Sequence, residues 1–205
     1  MHILTAQQPN IDREREFMRV HPHRFALWLG LASIVMIFAG LTSAYVVRQS
    51  GGNWVDFVLP QAFAVSIGLV VFSSVTMQWA YMAFSRQNLR QYKLALAGSL
   101  ILGVAFLITQ YVGWQKMQDI GIYLTGNPSG AFVYVISYVH AAHVIVGLIF
   151  IAIFLVKAFL LTRHPAKDLI LKADSSRKIN LELITTYWHF VGVLWIYLYS
   201  FFQLS

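Results

Sequence analysis

The sequence predicts an all-α polytopic membrane protein with five transmembrane helices, its N-terminus cytoplasmic and its C-terminus periplasmic. Three observations carry this. Of 205 residues, 58% are hydrophobic and only 11% charged, against roughly 25% charged in a soluble domain, and the mean hydropathy is +0.63. Five segments each supply the ~20 apolar residues that a helix needs to cross a hydrocarbon core of ~30 Å. Threaded alternately through a bilayer, those segments leave thirteen of the fifteen Lys and Arg residues on one side.

The first span, Phe25 to Val47, follows the polar opening MHILTAQQPNIDREREFMRVHPHR. That opening lacks an apolar stretch with a cleavage site, so it is not a secretory signal peptide. Residues 1–24 are expected as a cytoplasmic arm and 25–205 as the membrane domain. Within the arm, PNIDREREFMRVHPHRF either forms a short interfacial helix that turns Phe17, Met18 and Val20 to lipid or stays solvated. Inside the span, Gly30, Ser33, Ile37, Gly40 and Ala44 recur at spacings of three and four. Small residues in that pattern let backbones approach, which predicts a helix-packing face.

The second span, Phe57 to Phe84, contains FSSVTMQWA, whose Ser73, Ser74, Thr76 and Gln78 can bond across helices. In the third, Tyr92 to Trp114, Gln110 is the main polar group. TGNPSG, Thr125 to Gly130, is a turn by its Gly, Asn and Pro content. It leads into the fourth span, Ala131 to Leu161, which is longer than a bilayer requires and so is tilted or projects into water. The fifth runs from Leu183 to Gln203. Trp28, Trp54, Trp79 and Trp114 suit an interfacial aromatic belt.

Charge orients these spans. Arg13, Arg15, Arg19 and Arg24 precede the first; Arg86, Arg90 and Lys93 sit at the second loop; Lys157, Arg163, Lys167, Lys172, Arg177 and Lys178 surround the fourth. Only Arg48 and Lys116 lie opposite. Positive residues stay in the cytoplasm, so the net charge of +7 is a topology signal and needs no nucleic-acid partner. The absence of cysteine excludes disulfides, thiolate metal sites and Cys nucleophiles. No phosphate-binding loop, nucleophile elbow or HExxH motif is present.

Ionisable groups inside lipid are costly and face protein, water or a partner. Glu182 is the one acid that enters a span, and the membrane histidines are His140, His143 and His189. His140 and His143, three apart, share a face with Gly147. Glu182 and His189, seven apart, stand two turns from each other on one face. In antiparallel neighbours these residues can form a polar cluster at mid-membrane depth. Three uses are open: interhelical hydrogen bonding, haem ligation by paired histidines such as His143 and His189, and proton relay through Glu182. A dinuclear metal site would need more carboxylates.

Two motifs narrow the choice. LELITTYWHFVGVLWIYLY resembles the last-helix signature of subunit III of the haem-copper oxidases, with Glu182, Tyr187, Trp188, His189, Phe190, Val191 and Trp195 in register. SYVHAAHVIVGL resembles the paired-histidine motif of the same family at His140, His143, Val144, Gly147 and Leu148. VFSSVTMQWA, GVAFLITQYVGW and LASIVMIFAGLTSAYVVR are similar to its other conserved spans, so the likeness covers residues 25 to 204. The five-span form resembles short bacterial members, which lack two N-terminal helices of longer relatives and keep a cytoplasmic start.

The resemblance implies an accessory subunit without a redox cofactor in a bacterial inner-membrane terminal oxidase of the aa3 type, one that reduces O2 and pumps protons. Haem and copper would belong to partner subunits. The chain would contact subunit I chiefly, then subunit II, and through them a larger respiratory supercomplex. Phospholipid would lie in a cleft ordered by His140, His143, Glu182, Trp188 and His189, with Gly30, Ser33, Gly40, Gly147 and Gly192 packing helices. The electron donor would be cytochrome c, with a quinol oxidase as alternative and a small b-type cytochrome using His143 and His189 as an alternative of another class. Three family acids are missing, at Ile34, Gly113 and Gly192, which argues against a proton path through this chain.

Overall fold

A hydrocarbon environment removes water as a backbone partner, so each crossing must satisfy its own amides as a helix. The computed structural model describes residues 22–161 and 175–205, and its regular structure there is wholly helical. The helices are α1 Pro22–Gln49, α2 Gln61–Ser85, α3 Leu89–Asp119, α4 Pro128–Leu161 and α5 Ser175–Leu204. All five are long and apolar enough to cross a membrane, and the protein is a multi-pass membrane protein. The expected interfacial helix of the N-terminal arm, with Arg163, Lys167 and Lys172, lies outside the described residues.

Four of the helices extend past the apolar runs that predicted them, whereas α2 starts at Gln61, four residues inside its run, after Pro60. α1 is described from Pro22, and His23 and Arg24 are helical within it. Asn88 caps α3, its Oδ1 accepting from Gln91 N at 3.2 Å. Asn127 Oδ1 accepts from the amide and hydroxyl of Ser129 at 2.9 and 2.7 Å, which starts α4 at Pro128 rather than Ala131. The 31 residues of α3 and 34 of α4 rise about 46 and 51 Å. Both helices therefore outrun the ~30 Å core.

Cross-helix contacts set the topology. Ser66 meets Gln110 and Phe84 meets Tyr92, so α2 and α3 run antiparallel. Trp114 meets Ser137 across α3 and α4, His140 meets Val191 across α4 and α5, and Trp188 meets Ser73 across α5 and α2. These four helices close a ring. α1 lies outside it on α4 and α5, touching α5 at Arg24–Glu182, Thr42–Tyr197 and Gln49–Ser205, which makes the first and last helices parallel. Arg24, Arg86, Arg90, Lys93, Lys157, Arg177 and Lys178 consequently gather at one end, with Arg48 and Lys116 at the other.

Lipid is as apolar as the core, so burial here is marked by small and polar residues rather than by an amphipathic stripe. Ser66, Ser73, Ser99, Ser137, Gln110 and His140 are at most 1% exposed. Among the described residues of this chain, the small-residue face of α1 packs on no other helix. Leu31, Ile34, Phe38, Thr42 and Tyr45 face the bundle, whereas Gly30, Ser33 and Gly40 point away from it. A Cβ at Gly30 or Gly40 would meet nothing within 4 Å.

Candidate functional site

The centre of the ring is built on two indoles of α5. Trp188 and Trp195, seven residues apart, point inward and donate from Nε1 to Ser73 Oγ at 2.9 Å and Ser66 Oγ at 2.8 Å. The two serines are themselves seven apart on α2. Trp188 lies in a notch made by glycines of two further helices: an added Cβ at Gly103 would stand 3.0 Å from its ring, and one at Gly147 2.8 Å. Trp195 packs on Phe63, Phe106 and His140 with ring centroids 6.0, 5.6 and 4.9 Å away.

Hydrogen bonds finish this core. Ser66 Oγ also accepts from Gln110 Nε2 at 3.1 Å and donates to Phe63 O at 2.6 Å. Ser73 Oγ donates to Ser99 O at 3.3 Å, and Thr76 pairs with Ser99 Oγ at 2.9 Å. His140, fully buried, donates from Nε2 to the Val191 carbonyl at 3.1 Å. A carbonyl only accepts, so the ring is the Nε2–H tautomer. Among the described residues, His140 Nδ1 and Gln110 Oε1 are the two buried side-chain atoms with no hydrogen-bond partner.

The polar cluster expected at mid-membrane depth is dispersed. His143 Nδ1 bonds the Val139 carbonyl of its own helix at 2.7 Å and its ring leans on Phe38 of α1 at 5.8 Å. His189 turns to α2, where its Nε2 meets Gln78 Oε1 at 3.2 Å. Glu182 pairs with Arg24 of α1 at 3.0 Å, with both side chains more than two-fifths exposed. His140 and Trp188 are enclosed by protein, at 0% and 3% exposure, and are closed to lipid. Helical spacing predicts a shared face, but neighbours on three sides of α5 draw these residues apart. His143 and His189, the pair that haem ligation would use, serve different helices. Among the described residues no three His, Cys, Asp or Glu side chains come together.

The positions of the missing family acids are filled by packing. Ile34 is 9% exposed in the core. A Cβ at Gly113 would lie 2.9 Å from the Phe63 ring, and one at Gly192 3.2 Å from Ser74 Oγ. Two of the surface grooves border helices that carry the expected site residues. One, about 580 Å³, runs between α1, α4 and α5 at the basic end, with Leu27, Phe150, Phe154 and Ile184 along it and His23 and Lys157 among its polar residues. The other, about 390 Å³, lies between α2 and α5 and contains Gln78, His189 and Gly192. Sequence reasoning passed over Ser66 and the Arg24–Glu182 pair. The seven-residue spacing shared by Ser66/Ser73 and Trp188/Trp195 was the signal for the first.

The site holds no nucleophile with a base and no ligand set. It is a packing core in which polar groups specify which helices meet. Comparison with known proteins bears on what such a core serves. The family model described as cytochrome c oxidase subunit III matches residues 20–204. The chain is 28% identical over 176 residues to a probable cytochrome c oxidase subunit 3 of Mycobacterium bovis, covering 83% of this chain and 81% of that one. A cytochrome c oxidase subunit 3 of Corynebacterium diphtheriae is 25% identical over 177 residues, 82% and 81% of the two chains. That of Pongo abelii is 26% identical over 190 residues, 86% and 67%.

Proposed function

This chain belongs to the cytochrome c oxidase subunit III family, and from that premise we propose that it is the accessory, non-catalytic subunit of an aa3-type terminal oxidase in a bacterial cytoplasmic membrane. The relatives' names favour cytochrome c oxidase over the quinol alternative. Subunits I and II carry haem and copper, reduce O2 and pump protons, and this chain braces subunit I. The basic end faces the cytoplasm by the positive-inside rule.

The observation that carries the non-catalytic role is the use made of the interior polar groups. Ser66, Ser73, Gln110, His140 and both inner tryptophans bond one helix to another, which leaves no chain of ionisable groups through the ring. A b-type cytochrome is disfavoured because His143 and His189 serve different helices. Phospholipid binding moves from the expected histidine cluster to the groove between α1, α4 and α5. Its apolar walls suit an acyl chain, and His23 and Lys157 suit an anionic headgroup.

Affinity purification through a tag on this chain, in mild detergent, tests the assignment. Haem- and copper-containing subunits are expected in the eluate, with phospholipid retained. In the complex, His189→Ala is expected to weaken subunit association or sustained turnover and to leave the haem spectrum unchanged. An oxidase that purifies intact without this chain defeats the proposal, and so does a Soret band carried by this chain alone.

A further inference from the structure

A hydrogen-bonding side chain on the lipid-facing surface of a membrane helix asks for a partner, since hydrocarbon offers none. Two such side chains meet in the groove between α2 and α5. Gln78 is exposed and His189 half-buried, and they bond to each other at 3.2 Å. His189 stands four residues from Val193, the midpoint of the apolar stretch 183–203, or about 6 Å along the axis. Gln78 stands five residues from Ser73, the midpoint of α2, or about 8 Å. Both lie well inside the ~15 Å half-thickness of the hydrocarbon core, below the depth of ester carbonyls and headgroups.

Their mutual bond leaves demand unmet. With His189 Nε2–H donating to Gln78 Oε1, the ring keeps Nδ1 as an acceptor and the amide keeps two protons. Among the described residues neither has a further hydrogen-bond partner. The surroundings suit a close visitor. Gly192 is buried against Ser74 and forms the floor of the groove, while Val75 and Val193 on its rim are 61% and 65% exposed. Ser33 on the outward stripe of α1 differs in this respect, since the Leu29 carbonyl satisfies its hydroxyl at 3.0 Å.

The geometry points to this groove as the seat of a transmembrane helix from a partner subunit of the oxidase, one that brings a Ser, Thr, Asn or Gln side chain to His189 and Gln78. Such a side chain both donates and accepts, which answers the Nδ1 lone pair and the amide protons together. Acyl chains fill the apolar rim equally well but leave its polar centre bare. The inference rests on the oxidase reading above and adds the face by which the chain docks.

The test uses the complex in its native membrane. The photo-crosslinker p-benzoylphenylalanine is placed at Val75 or Val193, both exposed and outside the core, with Ile101 of α3, 68% exposed, as a control. Adducts to a polytopic partner subunit are expected at Val75 and Val193, with only lipid adducts at Ile101. Lipid adducts alone at the groove positions overturn the inference, as do adducts to a second copy of this chain. The double variant Gln78→Leu, His189→Leu should lower retention of the chain on the complex about three- to twentyfold, the span of one interhelical hydrogen bond. His189→Gln should stay within about twofold, because an amide also donates and accepts. Unchanged retention in the double variant overturns the inference. If the tagged chain brings down no haem-containing partner, the oxidase reading falls; if it does and the groove crosslinks only to lipid, the docking face alone falls.

Discussion

Ser66 does more bonding than its size suggests. One hydroxyl accepts from Trp195 and Gln110 and donates to the Phe63 carbonyl, so Ser66→Ala leaves two buried donors unpaired. Each unpaired donor costs about 1–3 kcal/mol. A clear fall in the thermal midpoint of the detergent-solubilised chain is expected, larger than for Ser33→Ala, whose hydroxyl is exposed and bonds its own helix. The importance of polar residues on the second span was legible in the sequence, as Ser73, Thr76 and Gln78 bear out by bonding across helices. Ser66 was passed over, since its seven-residue spacing from Ser73 gains meaning only beside the equal spacing of Trp188 and Trp195 on a distant helix. Its role comes from an indole that arrives 129 residues later.

Helix packing separates two kinds of glycine that look alike in the sequence. Gly147 and Gly103 receive the Trp188 ring, and a methyl at Gly147 would stand 2.8 Å from it. Gly147→Ala should therefore destabilise the chain by about 1–3 kcal/mol through overpacking. Gly40→Ala, with nothing within 4 Å, should stay within about 0.5 kcal/mol. Paired denaturation curves of the two variants check the contrast. Spacing alone could not rank them. In water, the apolar face of a helix names its core side, but in lipid both sides are apolar, so the small-residue stripe of α1 could not say which way it points, and within the chain it faces outward. The helix ends were legible in hindsight, because Asn88 and Asn127 precede the starts of α3 and α4. The apolar runs that identified the spans begin later than these caps.

At the scale of the molecule, number and order of crossings followed from composition, since ~20 apolar residues admit few other fates. The dispersal of His140, His143, Glu182 and His189 did not follow, because it depends on which helices flank α5 on each side. The ring of α2 to α5 is cross-braced by buried hydrogen bonds, whereas α1 is held by apolar packing of Leu31, Ile34, Phe38 and Tyr45, by the part-buried Thr42–Tyr197 contact and by exposed contacts at its ends, Arg24–Glu182 and Gln49–Ser205. Hydrogen exchange in detergent should accordingly be fastest in α1 among the five helices. Glu182→Gln should cost no more than about 1 kcal/mol, as exposed ion pairs do, which a melt of the variant would read. The matched pairs Trp188–Ser73 and Trp195–Ser66 also govern how the last helix can travel. Their rungs are about 10.5 Å apart, so any smaller slide of α5 along α2 unlatches both at once. The final helix is thus bolted against sliding at two rungs, and the Ser205 carbonyl just beyond it is gripped by Gln49 of the first helix at 2.6 Å.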